Sequence, residues 1–197
     1  AKTHFIEVLK RDPTQIDLYL RLSEIALQED NDQDALHWLG RAELIDLKNI
    51  EILLHQAGVY QRMKRFDEAI RTLNRAISLD ETNIKALKSW RQIYLTSRRW
   101  EEAIRVQRSI LKLTKGKQAE EEETLFYLGL KYERARDLLN RGGEQNLENA
   151  LKEVKEIVRE RKTFQPGFVL LGDIYLQMGR WASAGNVWGK SFTRFKS

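Results

Sequence analysis

Three histidines are the first side chains to weigh for chemistry, and they are scattered. His4, His37 and His55 lie well apart in the 197-residue chain, and none is expected to have a histidine or carboxylate partner at ligand spacing on its own helix. A zinc site gathers its imidazoles and thiolates at short, fixed intervals. Each histidine therefore reads as a surface or groove residue, and no metal is expected. The chain has no cysteine, which excludes disulfides and thiolate ligands within it. Gly142-Gly143 lacks the Lys-Ser or Lys-Thr that follows a phosphate-cradling loop, and no strand precedes it, so it reads as a break between helices. No nucleophile stands beside a plausible base. Neither catalysis nor a cofactor is expected.

Charge offers more candidates. Thirty-four basic and 29 acidic residues leave a net charge of +5, a mild excess well short of a polybasic nucleic-acid arm. Glu120 to Glu123 form a run of carboxylates that a basic partner could use. Carboxylates at a helix start also complement the helix dipole, which is the plainer account. Arg62-Lys64-Arg65, Arg98-Arg99, Lys112-Lys115-Lys117 and Arg159-Arg161-Lys162 fall mostly at turns and helix C-termini, where the same dipole favours cations. Tryptophans could stack on bases. However, Trp90, Trp100, Trp181 and Trp188 occupy core positions of the repeat described next, so packing is expected of them.

What must position any functional side chain is a helical hairpin of 34 residues, Ile50 to Asn83. Leu53, Gln56, Ala57 and Tyr60 recur at the spacing of one helical face. After the polar turn Met63-Lys64-Arg65, a second face follows in Phe66, Ala69, Leu73, Ala76 and Ile77. So small a hairpin cannot bury its apolar stripe alone, so it needs neighbours. Thirty-four residues before Ala69 stands Ala35, and 34 after it stands Ala103; Tyr60 maps likewise onto Tyr94, and Phe66 onto Trp100. Regular repeats thus span 16–49, 50–83 and 84–117. Residues 1–13 read as the second helix of a half repeat, with Ala1 in the place of Ala35, closed by Asp12-Pro13-Thr14 because proline cannot continue a helix. Residues 118–164 form a lengthened repeat, whose first helix carries Leu125, Leu128, Gly129 and Tyr132. Ala150 follows Gly129 by 21 residues where 12 would be regular, so that helix is expected to run on to about Asn140. The last repeat, 165–197, carries Phe168, Leu171, Gly172, Tyr175, Gly179, Ala184 and Trp188. The apolar end after Phe195 is expected to be covered by further chain or by another molecule. The composition is 42% hydrophobic and 32% charged, with two prolines, which fits a helix-rich soluble chain. No apolar run of about 18 residues occurs, so no membrane span is expected.

This pattern of small and aromatic residues resembles the tetratricopeptide repeat (TPR) family. The resemblance implies an all-α, right-handed superhelix of about eleven helices, with the first helix of each repeat lining the concave side. It places residues two, five, nine and twelve of each repeat in that groove. In the first repeat these include Leu20 and Glu24, beside Asp17 and Leu27; in the second, Leu54 and Gln61, beside Glu51 and Gly58. The third supplies Lys85, Lys88 and Gln92, the lengthened one Phe126 and Leu130, and the last Val169, Asp173 and Leu176. Apolar side chains on that face mark a binding site, or else pack between adjacent first helices. Some TPR domains clamp a C-terminal carboxylate with a Lys-Asn-Asn-Lys-Arg set. Only Lys85 and Lys88 match here, so an amphipathic helix or an extended apolar segment fits better.

Three stretches resemble one branch of TPR proteins more closely. They are IYLTSRRWEEAIRVQRSILKLTKGKQ from Ile93, followed by Phe126-Tyr127; HFIEVLKRDPTQIDLYLRL; and GDIYLQMGRWASA. They are similar to the lipopolysaccharide assembly protein B (LapB) family. That resemblance implies a bacterial adaptor with cytoplasmic repeats, tethered to the inner membrane by a segment outside this chain. Its implied partners are a membrane-bound protease and a lipid A deacetylase. That family also carries a cysteine-bearing metal domain, which this chain lacks. The expected function is a non-enzymatic scaffold that holds a peptide or helix in its groove. Two alternatives stand beside it: a basic nucleic-acid-binding repeat, and a scaffold that self-associates through uncapped ends.

Overall fold

The computed structural model describes residues 2–194, and side chains as far as Gly189. Ala1 and Phe195, used above to place the two ends of the pattern, lie outside these residues. Eleven α-helices and no strand occur among the described residues. They are α1 (Lys2–Arg11), α2 (Ile16–Gln28), α3 (Asp32–Ile45), α4 (Ile50–Arg62), α5 (Phe66–Leu79), α6 (Ile84–Thr96), α7 (Trp100–Thr114), α8 (Glu120–Arg141), α9 (Glu144–Glu160), α10 (Gln165–Gln177) and α11 (Trp181–Arg194).

The helix ends repeat as faithfully as the core. Between the helices of each regular hairpin, one residue adopts a left-handed conformation: Asp30 at φ 56°, Lys64 at 60°, Arg98 at 56° and Gly179 at 71°. The next N–H then reaches back five residues, as from Arg65 to the Tyr60 carbonyl at 2.8 Å and from Arg99 to that of Tyr94 at 2.7 Å. This satisfies carbonyls that the helix end would otherwise orphan. Between hairpins the chain turns on an aspartate. The Asp80 carboxylate accepts from the Thr82 N–H at 3.0 Å and its hydroxyl at 2.8 Å. Asp12 accepts likewise from Thr14. Asn31, Asn49 and Asn83 cap α3, α4 and α6, each accepting from the N–H three residues on.

The chain divides into two compact units, 1–113 and 114–197. In the first, α2 packs on α3 and α4 on α5; α4 also packs on α3 and α6. Ala35, Ala69 and Ala103 are fully buried, as are Leu22, Leu39 and Leu73 opposite or beside them. Side chains this small let the helix axes approach, and the leucines fill the remaining space. Arg62 pairs with Asp30 and Asp32, one repeat earlier, and the Glu43 carboxylate accepts from Gln56 and Arg75. Burial pushes the Glu43 carboxyl up, but those two donors outweigh it and hold it below its usual value.

In the second unit α8 packs on α9, α9 on α10, and α10 on α11. Helix α8 has 22 residues against 13 in α2, α4 and α6, so the nine extra residues extend the first helix, as its spacing predicts. It ends at Arg141, where Gly142 at φ 66° and Gly143 at φ 83° reverse the chain. Ala150 and Ala184 are buried, so the alanine register resumes after the extension.

A candidate protein-binding groove

In the first unit the residues expected at the groove lie on α2, α4 and α6. A hollow of about 440 Å³ opens over α1, α2 and α4. Phe5, Leu18 and Leu20 give it an apolar wall, and Asp17, Glu24, Glu51 and His55 give it polar edges. Arg21 also lines it and donates to Glu24 at 3.0 Å. Glu51 stands one turn before His55, a carboxylate neighbour that the chain order already contained. Among the described residues no group of three or more histidines and carboxylates could hold a metal.

The remaining expected residues divide by burial. Leu20 is 8% exposed and Leu130 is 3% exposed, so core packing takes most of their surface. Leu54, Lys88, Phe126 and Leu176 are half-buried. Leu54 packs beside Ala57 and Ile93, so it braces α4 as well as facing the groove. Gln61 donates to the Thr96 hydroxyl at 3.2 Å, tying α4 to α6. Lys85, Gln92 and Asp173 are exposed, and Val169 is 46% exposed. Leu20, Glu24, Leu54, Gln61, Lys85, Lys88 and Gln92 belong to the first unit. Phe126, Leu130, Val169, Asp173 and Leu176 belong to the second, on α8 and α10.

Two core assignments need correction. Trp181 is 69% exposed rather than packed. Its counterpart Phe66 is half-buried, in a cluster that also holds Ile93 and Trp90 of the following repeat. No repeat follows α11 among the described residues. Leu125, assigned to the packing face of its helix, is 42% exposed. The buried face of α8 runs instead through Leu128, Lys131 and Ala135.

Spacing alone also missed three buried polar positions. Arg91 and Gln107 occupy the places where the second repeat has Ala57 and Leu73, and both are buried. The Arg91 guanidinium donates to the Gln107 amide oxygen, which compensates for taking these groups out of water. Lys131 is buried at 4% exposure and pairs with Glu156 at 2.5 Å, over the Tyr127 ring. The signal was present as polar residues on an apolar stripe.

Several arginines at the turns are engaged. Besides the pairs of Arg62, Arg65 bonds Glu68 and lies over Tyr60, and Arg99 bonds Glu102 and lies over Tyr94.

Stacked helical hairpins with a buried alanine register and left-handed mid-hairpin turns define a tetratricopeptide-repeat solenoid. Residues 50–83 match the family model described as tetratricopeptide repeat. No curated protein matches the chain in sequence. Among solved structures, the chain is similar to MamA protein, with 15% identity over 92% of each chain and a TM-score of 0.60. It is similar to YrrB, described as a TPR protein with an unusual peptide-binding site, at 13% identity over 100% of this chain and 95% of that one, with a TM-score of 0.59. A tetratricopeptide repeat protein from Parabacteroides merdae matches at 18% identity over 98% of this chain and 72% of that one, with a TM-score of 0.58. At these identities the likeness is one of fold. Such a fold suits a protein–protein interaction scaffold. No described helix is long and apolar enough to cross a membrane.

Proposed function

We propose that the chain is a non-catalytic adaptor that holds a peptide or helix of a partner protein against the first helices of its repeats. The hollow over α1, α2 and α4 carries this reading, because it opens at the expected groove positions and has an apolar wall. Gly58 gives a clean test. It is exposed on α4 at repeat position nine, with open space where a side chain would stand. Gly58 lies one turn beyond His55, outside the residues that line the hollow, so Gly58→Arg should reach over the groove from its edge without disturbing the core. In affinity purification from the source cell, a partner recovered by wild type should be lost with Gly58→Arg. It should be kept with Leu44→Glu, at a site outside the hollow that is 81% exposed. Equal recovery by all three proteins would refute the groove.

The finer assignment is to regulation of lipopolysaccharide synthesis, with a lipid A deacetylase and a membrane-bound protease as partners. It is supported by the likeness of the stretch from Ile93 to Gln118 to the LapB family. Recovery of either partner with wild type, and its loss with Gly58→Arg, would support it; their absence from every eluate would refute it. Nucleic-acid binding is the weaker alternative, because the arginines at the turns are already paired with carboxylates.

A further inference from the structure

We propose that the hollow over α2 and α4 selects a partner segment in which a bulky apolar side chain stands within a helical turn of a lysine or arginine. This rests on the groove reading above and names the chemistry of its occupant. The apolar wall of Phe5, Leu18 and Leu20 takes the apolar side chain. The cation is specified by two carboxylates. Asp17 and Glu51 hold the same repeat position on successive first helices, and both are exposed at the hollow.

Elsewhere in this unit several carboxylates beside the hairpin turns are paired. Asp30 and Asp32 pair with Arg62, Glu68 with Arg65, and Glu102 with Arg99. Asp17 and Glu51 carry no ion pair and no side-chain hydrogen bond among the described residues, while the hollow's own arginine, Arg21, is bound to Glu24. The hollow therefore joins a small apolar floor to polar edges, two of them carboxylates that are favoured by the dipoles of their own helices but pair with no side chain. A neutral or acidic segment seated there would strip water from both carboxylates and return nothing. A segment bearing a cation beside its apolar anchor compensates them and is steered in by them. On α6 the same repeat position holds Lys85, so the favoured sign reverses one repeat further on.

The test is a displayed library of random amphipathic helical peptides, selected on the wild-type chain. Enriched peptides are then titrated by fluorescence anisotropy. The expected result is enrichment of Lys or Arg next to a bulky apolar residue. Asp17→Asn with Glu51→Gln should weaken binding about tenfold at low salt, and less as salt screens the charges. Both side chains are exposed and lack a side-chain partner, so only a slight drop in the thermal melt, from the lost helix-start charges, should accompany the loss. Asp17→Lys should recover binding to a peptide whose cation is changed to glutamate. Peptides blocked by Gly58→Arg but lacking any cationic bias, or indifferent to the carboxylate changes, would overturn the proposal and leave the groove standing. Peptides that all bind Gly58→Arg as well as wild type would overturn both.

Discussion

Gly172→Ala should destabilise this protein, although alanine is the better helix former. Gly172 is buried inside α10, and the Trp188 indole of α11 occupies the space where a side chain would begin. A Cβ built there lies 2.0 Å from Nε1 and 2.4 Å from Cε2 of that ring. Carbon contacts are favourable only near about 3.5–4.0 Å, so the ring must swing away or the two helices must part. Overpacking of this kind costs about 1–3 kcal/mol, and so close an approach belongs at the upper end. Relief of the glycine penalty in a helix returns about 1 kcal/mol, leaving a net loss of about 2 kcal/mol. For a chain of this size that lowers Tm by roughly 4–8 °C. Gly58→Ala is the internal control. It too is mid-helix, but nothing lies within 4 Å of the added carbon, so it should gain about 1 kcal/mol. Urea titration followed by circular dichroism reads both variants, and Trp188→Leu should restore much of what Gly172→Ala loses. If Gly172→Ala stabilised the chain as Gly58→Ala does, the packing of α10 on α11 described here would be wrong.

Lys64 stands at φ 60° where the last hairpin has Gly179, so Lys64→Gly should raise stability by about 0.5–1 kcal/mol, read as a higher urea midpoint. The reverse change, Gly179→Val, should lower it by about 1–2 kcal/mol, because a β-branched residue resists that conformation. Acid should weaken the fold through the aspartate turns. The Thr82 hydroxyl and N–H hold the Asp80 carboxyl below its ordinary value of 3.8, and Thr14 does the same for Asp12. A depressed carboxyl contributes stability that is full above its unfolded value and is lost as pH falls through the folded one. The urea midpoint should therefore drop as pH passes below 3.8, and Asp80→Asn should flatten that drop.

The repeat was legible because it is written twice, in spacing and in residue size. Ala35, Ala69 and Ala103 could be placed by counting, and all three are buried where helices touch. Even the irregular fourth repeat was legible, since nine residues inserted before a glycine pair can lengthen a helix without breaking its periodicity. The hidden features depend on neighbours rather than on period. Trp181 occupies a core position of the repeat, yet exposure depends on whether another repeat covers it. Arg91 lies on an apolar stripe, and a partner such as Gln107, sixteen residues on, helps make its burial tolerable. Asp30, Lys64 and Arg98 adopt a conformation that favours glycine, and Gly179 was the single clue to it. At the groove, spacing could name the positions but not their state. It could not show that Leu20 is mostly core, or that Asp17 and Glu51 have no ion pair while Glu24 is paired.

The most direct measurement is hydrogen exchange of the backbone amides with and without a bound partner segment. The account predicts added protection along α2 and α4, around Asp17, Leu20, Glu51 and Gly58, with the outer faces of α3 and α5 unchanged. Protection centred on α3 and α5, with α2 and α4 exchanging as before, would contradict it.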